Sequence, residues 1–266
     1  MFWRKCVLTT ACLIVVLGGS ASAATEDPAA FFEAISQQDV AAVRRMLDAH
    51  PNWANAKNDK GRSAVIAALS LITDDSFLTR DKNPVLQAIL AKSPALTFHE
   101  ACGVGRAPEV KRCLEKDPKL ATSWNDLGWS ALHMAAFSGD VETGRLLLEN
   151  GAAVEARAKT KFRNSPLQVA LLVGHLDMAK LLITHGADVL ARQAKGFAPI
   201  HEAAFLGRQD LVDLLLESGA EINSRTDDGR TAVTEAERRK HPELAAYLRS
   251  KGGVGAEIAD VTSSPD

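Results

Sequence analysis

The side chains able to do chemistry in this chain are few, and they fall in step with one another. His99, His133 and His201 stand 34 and 68 residues apart, so a repeating architecture accounts for them better than a converging catalytic group does. His201-Glu202-Ala203-Ala204-Phe205 begins like the helical zinc motif, in which two histidines one turn apart hold the metal and the glutamate acts as base. Phe205 occupies the place of the second ligand, which removes the metal. Gly103-Val104-Gly105 has the start of a dinucleotide loop, but it follows a predicted helix rather than a strand, and Pro108 ends the pattern where glycine is needed. There is no phosphate loop, no Gly-x-Ser-x-Gly elbow and no paired-cysteine zinc spacing. The carboxylates are scattered over helix positions expected to be solvated, and no acid and base pair stands out. The expectation is a protein with no catalytic residue, no metal ligand and no cofactor.

The elements that must position the histidines recur with them. Ser130-Ala131-Leu132-His133, Ser165-Pro166-Leu167-Gln168, Ala198-Pro199-Ile200-His201 and Thr231-Ala232-Val233-Thr234 begin 35, 33 and 33 residues apart. Gly151-Ala152, Gly186-Ala187, Gly219-Ala220 and Gly252-Gly253 keep the same step. Between these landmarks lie Leu146-Leu147-Leu148, Leu181-Leu182-Ile183 and Leu214-Leu215-Leu216. Three landmarks in one phase mean that the chain stacks one supersecondary unit. The glycines follow the apolar runs, where a left-handed residue ends a helix at least cost. Small Ala135 and Ala136 allow close helix approach, and each leucine triplet supplies an apolar face that only a neighbouring unit can cover.

The unit resembles the ankyrin repeat. The stretch from Asn125 through Ser130-Ala131-Leu132-His133 to Asp140 is similar to that family's turn and first helix, and Leu146 to Ala152 to its second helix and glycine stop. The family's Thr-Pro-Leu-His signature is degenerate here. The resemblance implies an all-α solenoid of stacked helix-turn-helix units with short β-turn fingers. It also implies that the shared histidine ties neighbouring turns together, and that the biochemical role is protein binding.

Weaker units precede the clear ones. His99, Ala101 and Cys102 are in phase with His133, Ala135 and Ala136, and Asp117-Pro118 takes the place of Gly-Ala, since proline also stops a helix. Similar endings at His50-Pro51 and Ser93-Pro94 mark units at 28–58, 59–96 and 97–125, the second carrying an insertion at 73–83. The repeat domain is therefore expected over 24–253 as about seven units with the first and last acting as caps. Glu235 to Lys240 would be the solvated outer side of the last cap, and 254–266 a flexible tail.

Residues 1–23 stand apart. Arg4 and Lys5, the apolar run Val7 to Leu17 and then Ala21-Ser22-Ala23 have the order of a secretory signal peptide cleaved after Ala23. The run is too short to span a bilayer. The chain has 31 basic and 33 acidic residues; losing Arg4 and Lys5 leaves 29 basic ones and a charge near −4, no electrostatic footprint for nucleic acid. The expected location is periplasmic or secreted, with no membrane insertion after cleavage. Cys102 and Cys113 remain in the mature chain. An exported protein permits a disulfide, whereas helix axes about 8–10 Å apart are wide for one, so the sequence leaves the pairing open.

Aligning the units places Trp129, Asn164, Phe197 and Arg230 at one finger-base position, with Phe162 on the intervening finger. Phe137, Leu172 and Phe205 share a position near the end of the first helix, followed by Ser138, Val173 and Leu206. The resemblance implies that these positions line a concave face, and aromatic residues are favoured binding anchors; the alternative is that Trp129 and Phe137 pack against neighbouring fingers. The expectation is an exported, monomeric binding module or scaffold for another protein, or alternatively a secreted effector that binds a host protein.

Overall fold

The computed structural model describes residues 27–71 and 83–255. The expected leader at 1–23, the insertion at 73–83 apart from Asn83, and the expected tail apart from Val254 and Gly255 lie outside the described residues. Those residues form fourteen α-helices and no strand. They run in seven consecutive pairs: α1 (Pro28–Ser36) with α2 (Val40–Ala49), α3 (Ala64–Leu69) with α4 (Pro84–Leu90), α5 (Phe98–Gly103) with α6 (Ala107–Lys116), α7 (Ala131–Ser138) with α8 (Val141–Glu149), α9 (Pro166–Val173) with α10 (Leu176–Thr184), α11 (Pro199–Leu206) with α12 (Gln209–Glu217), and α13 (Ala232–Arg238) with α14 (Pro242–Ser250). The first helices pack in file, α1 on α3 and so on to α11 on α13, and α6, α8, α10 and α12 form a second file behind them. This is the expected all-α solenoid.

Local chemistry sets the helix ends. Ser63, Thr97, Ser130, Ser165 and Thr231 each accept a backbone N–H at the start of a first helix, which satisfies a donor that the helix itself cannot. The second helices of the last four pairs stop in the same way. Gly151, with φ 84°, lets the N–H of Ala152 reach back to the carbonyl of Leu147 at 2.9 Å, and Ala187, Ala220 and Gly253 repeat that bond to Leu182, Leu215 and Leu248. Where Pro51 and Pro118 replace the glycine, a short 3-10 helix follows instead, at Pro51–Asn55 and Pro118–Thr122.

The core is one continuous file of small and branched residues. Ala135, Ala136, Ala203 and Ala204 are wholly buried on the first helices, and Leu147, Leu182 and Leu215 on the second. Only the middle member of each apolar triplet is fully buried; Leu146, Leu148, Leu181, Ile183, Leu214 and Leu216 are half-buried at its edge. The outer flank of the last pair also differs from expectation. Glu235 is 1 % exposed, because Arg230 and Arg238 both donate to its carboxylate, whereas Glu237, Arg238 and Lys240 do face water. Val254 is tied to the fold through Thr231 and Asn223. Cys102 is buried, Cys113 is part-exposed, and both are free thiols.

Candidate interaction surface

Five turns project between the helix pairs: finger one at 56–62, two at 123–129, three at 157–164, four at 190–197 and five at 224–230. In finger two the Asn125 side chain accepts from the N–H groups of Leu127 (3.0 Å) and Trp129 (2.9 Å), an Asx turn that leaves Gly128 at φ 78°. Adjacent fingers are bonded edge to edge. Lys159 N–H donates to the Gly128 carbonyl (2.8 Å), Ala194 to Phe162 (3.2 Å) and Asp227 to Lys195 (2.9 Å).

The in-phase histidines fix each finger to a first helix. His133 Nδ1 lies 2.6 Å from Ser130 Oγ, and its Nε2 lies 2.9 Å from the Asn164 carbonyl on the next finger. His201 Nδ1 accepts from Ala198 N–H (3.1 Å), while Nε2 reaches the carbonyls of Ser224 (3.0 Å) and Arg230 (3.2 Å). Gln168 does the same work with an amide, bonding Ser165 N–H, Ala191 O and Phe197 O. Burial holds His133 down at about 4 and lowers His99 and His201 as well, so these rings are neutral at neutral pH. Ser130 and His133 are a hydrogen-bonded serine–histidine pair closed off from solvent. Both are buried, and both ring nitrogens already have partners.

A second set of ties runs in the opposite direction and escaped the sequence reading. His175 Nε2, at the start of α10, lies 3.1 Å from the Phe137 carbonyl of the preceding pair; His241 Nε2 stands 3.1 Å from Phe205 O, and Arg208 donates to Gly174 O at 3.3 Å. Gly139, Gly174 and Gly207 end the first helices with φ of 70°, 84° and 73°. A Cβ on Gly139 or Gly207 would stand 2.5–2.8 Å from the His175 or His241 ring. The step of those glycines, 35 and then 33 residues, was the available signal.

The aligned candidates divide by burial. Phe137 and Ser138 are 6 % and 8 % exposed, so they are not surface residues: Phe137 meets Trp129 edge-on, with centroids 6.2 Å apart, and Ser138 Oγ donates to the Cys102 carbonyl at 3.0 Å. Asn164 is half-buried and gives its carbonyl to His133. Arg230 is held by Asp228 and Glu235 and lies 4.9 Å over the Phe197 ring. Trp129, Val173 and Leu206 are half-buried against the core. Leu172, Phe197 and Phe205 are half-exposed, and the Arg239 guanidinium lies 3.8 Å over Phe205. Leu206 Cδ1 comes within 3.5 Å of where a Gly174 Cβ would stand, so the helix ends of successive units adjoin. Phe162, 42 % exposed, is the most open of the eleven.

One buried carboxyl has an unmet need. Glu202 is 2 % exposed and takes a 2.5 Å hydrogen bond from Gln193, while its Oε2 has no partner. Burial pushes its pKa up to about 8. Among the described residues no three metal-ligating side chains come together, and no helix is long and apolar enough to cross a membrane.

Comparison with known proteins places this architecture. The chain is 31 % identical to a probable 26S proteasome regulatory subunit p28 of Saccharomyces cerevisiae over 174 residues, 63 % of this chain and 75 % of that protein. It is 34 % identical over 185 residues to the B-cell lymphoma 3 protein homolog of Mus musculus, covering 63 % of this chain and 39 % of the mouse protein. A 92-residue stretch is 39 % identical to a transient receptor potential cation channel subfamily A member 1 homolog of Caenorhabditis elegans, 35 % of this chain but 7 % of the channel. The chain therefore spans most of the yeast subunit and only a minor part of the other two. The family model for ankyrin repeats (3 copies) matches residues 80–193 and 152–226, together more than half of the sequence. With stacked helix pairs, bonded fingers and in-phase histidines agreeing with that match, the chain belongs to the ankyrin-repeat family.

Proposed function

We propose that this chain is an exported module that binds another protein through the concave face made by its first helices and fingers. Ankyrin repeats generally mediate protein–protein interaction, and the related proteins are mostly non-catalytic. The observation that carries the reading is a row of apolar side chains, Leu172 and Phe205 part-exposed and flanked by the half-buried Val173 and Leu206, which continues across the junction of two units. Apolar side chains left part-exposed side by side are a surface on which a partner can dock. Export is supported by Arg4-Lys5, the run Val7 to Leu17 and Ala21-Ser22-Ala23.

Two measurements test this. Mass spectrometry of the protein from its source should find Ala24 at the N-terminus; an intact Met1 in a cytosolic fraction defeats export. Partner capture should weaken about tenfold or more in Leu172→Asp and Phe205→Asp, a loss of the size seen for binding anchors, with melting near wild type. Capture unchanged in both variants moves the site elsewhere.

A further inference from the structure

The five fingers do not carry the same charge. Counted back from the residue that caps each first helix, the tips read Asp59-Lys60-Gly61, Asp126-Leu127-Gly128, Lys161-Phe162-Arg163, Ala194-Lys195-Gly196 and Asp227-Asp228-Gly229. Fingers one, two and five each present carboxylate; fingers three and four present none and carry Lys161, Arg163 and Lys195 instead. Lys159 adds a fourth cation at the root of finger three, its ammonium 4.5 Å from the Trp124 ring centroid. All four are exposed, and none makes an ion pair with a carboxylate among the described residues. The two tips are joined, since Phe162 O accepts from Ala194 N–H. Their cations therefore share one edge, with the exposed Phe162 ring among them.

The backbone of this edge also differs from that of the other finger tips. Gly61, Gly128, Gly196 and Gly229 hold the left-handed tip position at φ of 71–80°, as glycine does at no steric cost. Finger three places Arg163 there at φ 56°, and finger four places Lys195 beside its glycine at φ 66°. Side chains other than glycine resist that conformation; Gln38, Ser93 and Lys240 adopt it in turns elsewhere, but among the five finger tips it is confined to these two. Finger three also lacks the asparagine that closes fingers one and two. It is a poorer turn that displays two cations and an aromatic ring.

We propose that the joined tips of fingers three and four dock a short acidic segment of the partner protein, its carboxylates on Lys161, Arg163 and Lys195 and an apolar side chain on Phe162. The flanking tips make the choice of occupant. Asp126 on one side, and Asp227 and Asp228 neutralised by Arg192 and Arg230 on the other, add no net positive charge for a polyanion that ran past two fingers, as a nucleic acid strand or an anionic bilayer does. A segment of a few carboxylates fits between them, and the exposed phenyl ring favours one with an apolar residue. The inference rests on the reading that this chain binds a protein, and narrows it to one edge.

The test uses the full chain and three probes: a fluorescein-labelled peptide of alternating glutamate and aspartate with one central phenylalanine, a labelled thymidine oligonucleotide, and phosphatidylserine vesicles. The peptide should bind with an affinity that falls as salt rises, and the triple reversal Lys161→Glu, Arg163→Glu and Lys195→Glu should weaken it at least tenfold. Arg163→Gly should weaken it severalfold while the melting temperature stays level or rises, which separates recognition from folding. Peptide bound no better by wild type than by the reversal, or tighter binding of either of the other probes, overturns the proposal. Partner capture that survives the reversal yet fails in Leu172→Asp and Phe205→Asp also overturns it, and leaves the wider protein-binding reading standing.

Discussion

Two buried titratable side chains give this fold opposite responses to pH. Glu202 is held near 8 by burial, against an ordinary value near 4.5, so the folded state keeps a proton that the unfolded chain releases. Its contribution is full below pH 4.5 and is lost as pH rises toward 8. Glu202→Gln mimics the protonated form and keeps an acceptor for Gln193. Melting temperatures from pH 5 to 9 should show the variant gaining on wild type as pH rises, by a few kcal/mol at the alkaline end; parallel curves would mean that Glu202 titrates normally. His133 works the other way. Its ring is held neutral down to about 4, against an ordinary 6.5, so stability is present above 6.5 and lost as pH falls toward 4. Gln168 already bonds the equivalent groups one unit on, Ser165 N–H and the Phe197 carbonyl, so His133→Gln should preserve the tie and flatten the loss between pH 6.5 and 4.

At the scale of the helix, glycines that share the left-handed conformation have unequal surroundings. A Cβ on Gly139 would meet the His175 ring at 2.5 Å, whereas nothing lies within 4 Å of one on Gly151. Both positions are left-handed, at 70° and 84°, so alanine strains both by about 1 kcal/mol. Gly139→Ala must also displace His175 from the Phe137 carbonyl, and should cost a further 1–3 kcal/mol for the group left unpaired. Urea unfolding of the two variants measures the difference; equal midpoints would show that the reverse tie contributes nothing. The frame of the fold was legible because its landmarks recur as residue types: Gly151, Gly186 and Gly219 stop helices, and His133 and His201 tie fingers. The reverse ties were hidden because His175, Arg208 and His241 share a task but not a residue type. That Phe137 and Ser138 are covered rather than open has a related cause. Helical phase sets where a side chain points within its unit, but Trp129 and the preceding unit decide whether it is covered. Arg163 was visible throughout, yet its departure from glycine means something only once the tips are seen bonded to one another.

At the scale of the whole chain, stability is a sum over units and junctions, so position in the stack decides how far damage spreads. Leu147 and Leu248 are both wholly buried, and cutting either to alanine should cost about 2–5 kcal/mol. Leu147 lies in a central pair with neighbours on both sides, and its loss should shift the entire transition. Leu248 lies in the last pair, so Leu248→Ala should melt that pair first, giving a shallow early loss of helical signal while fluorescence from Trp53, Trp124 and Trp129 stays native. Coincident transitions in that variant would mean that the stack unfolds as one body. The paired ties have a different consequence, for how such a chain can change its length. His201 Nε2 reaches the finger that follows, and His241 the helix end that precedes it, so these ties are answered across a unit boundary. A copied stretch of 33 residues, Pro199 through Thr231, would meet at each edge the same donors and acceptors that it left. Tandem duplication can therefore extend this chain with these ties kept, and the step tolerates a residue or two, since Ser130 and Ser165 stand 35 apart and the tie from His133 to Asn164 is made across that longer unit.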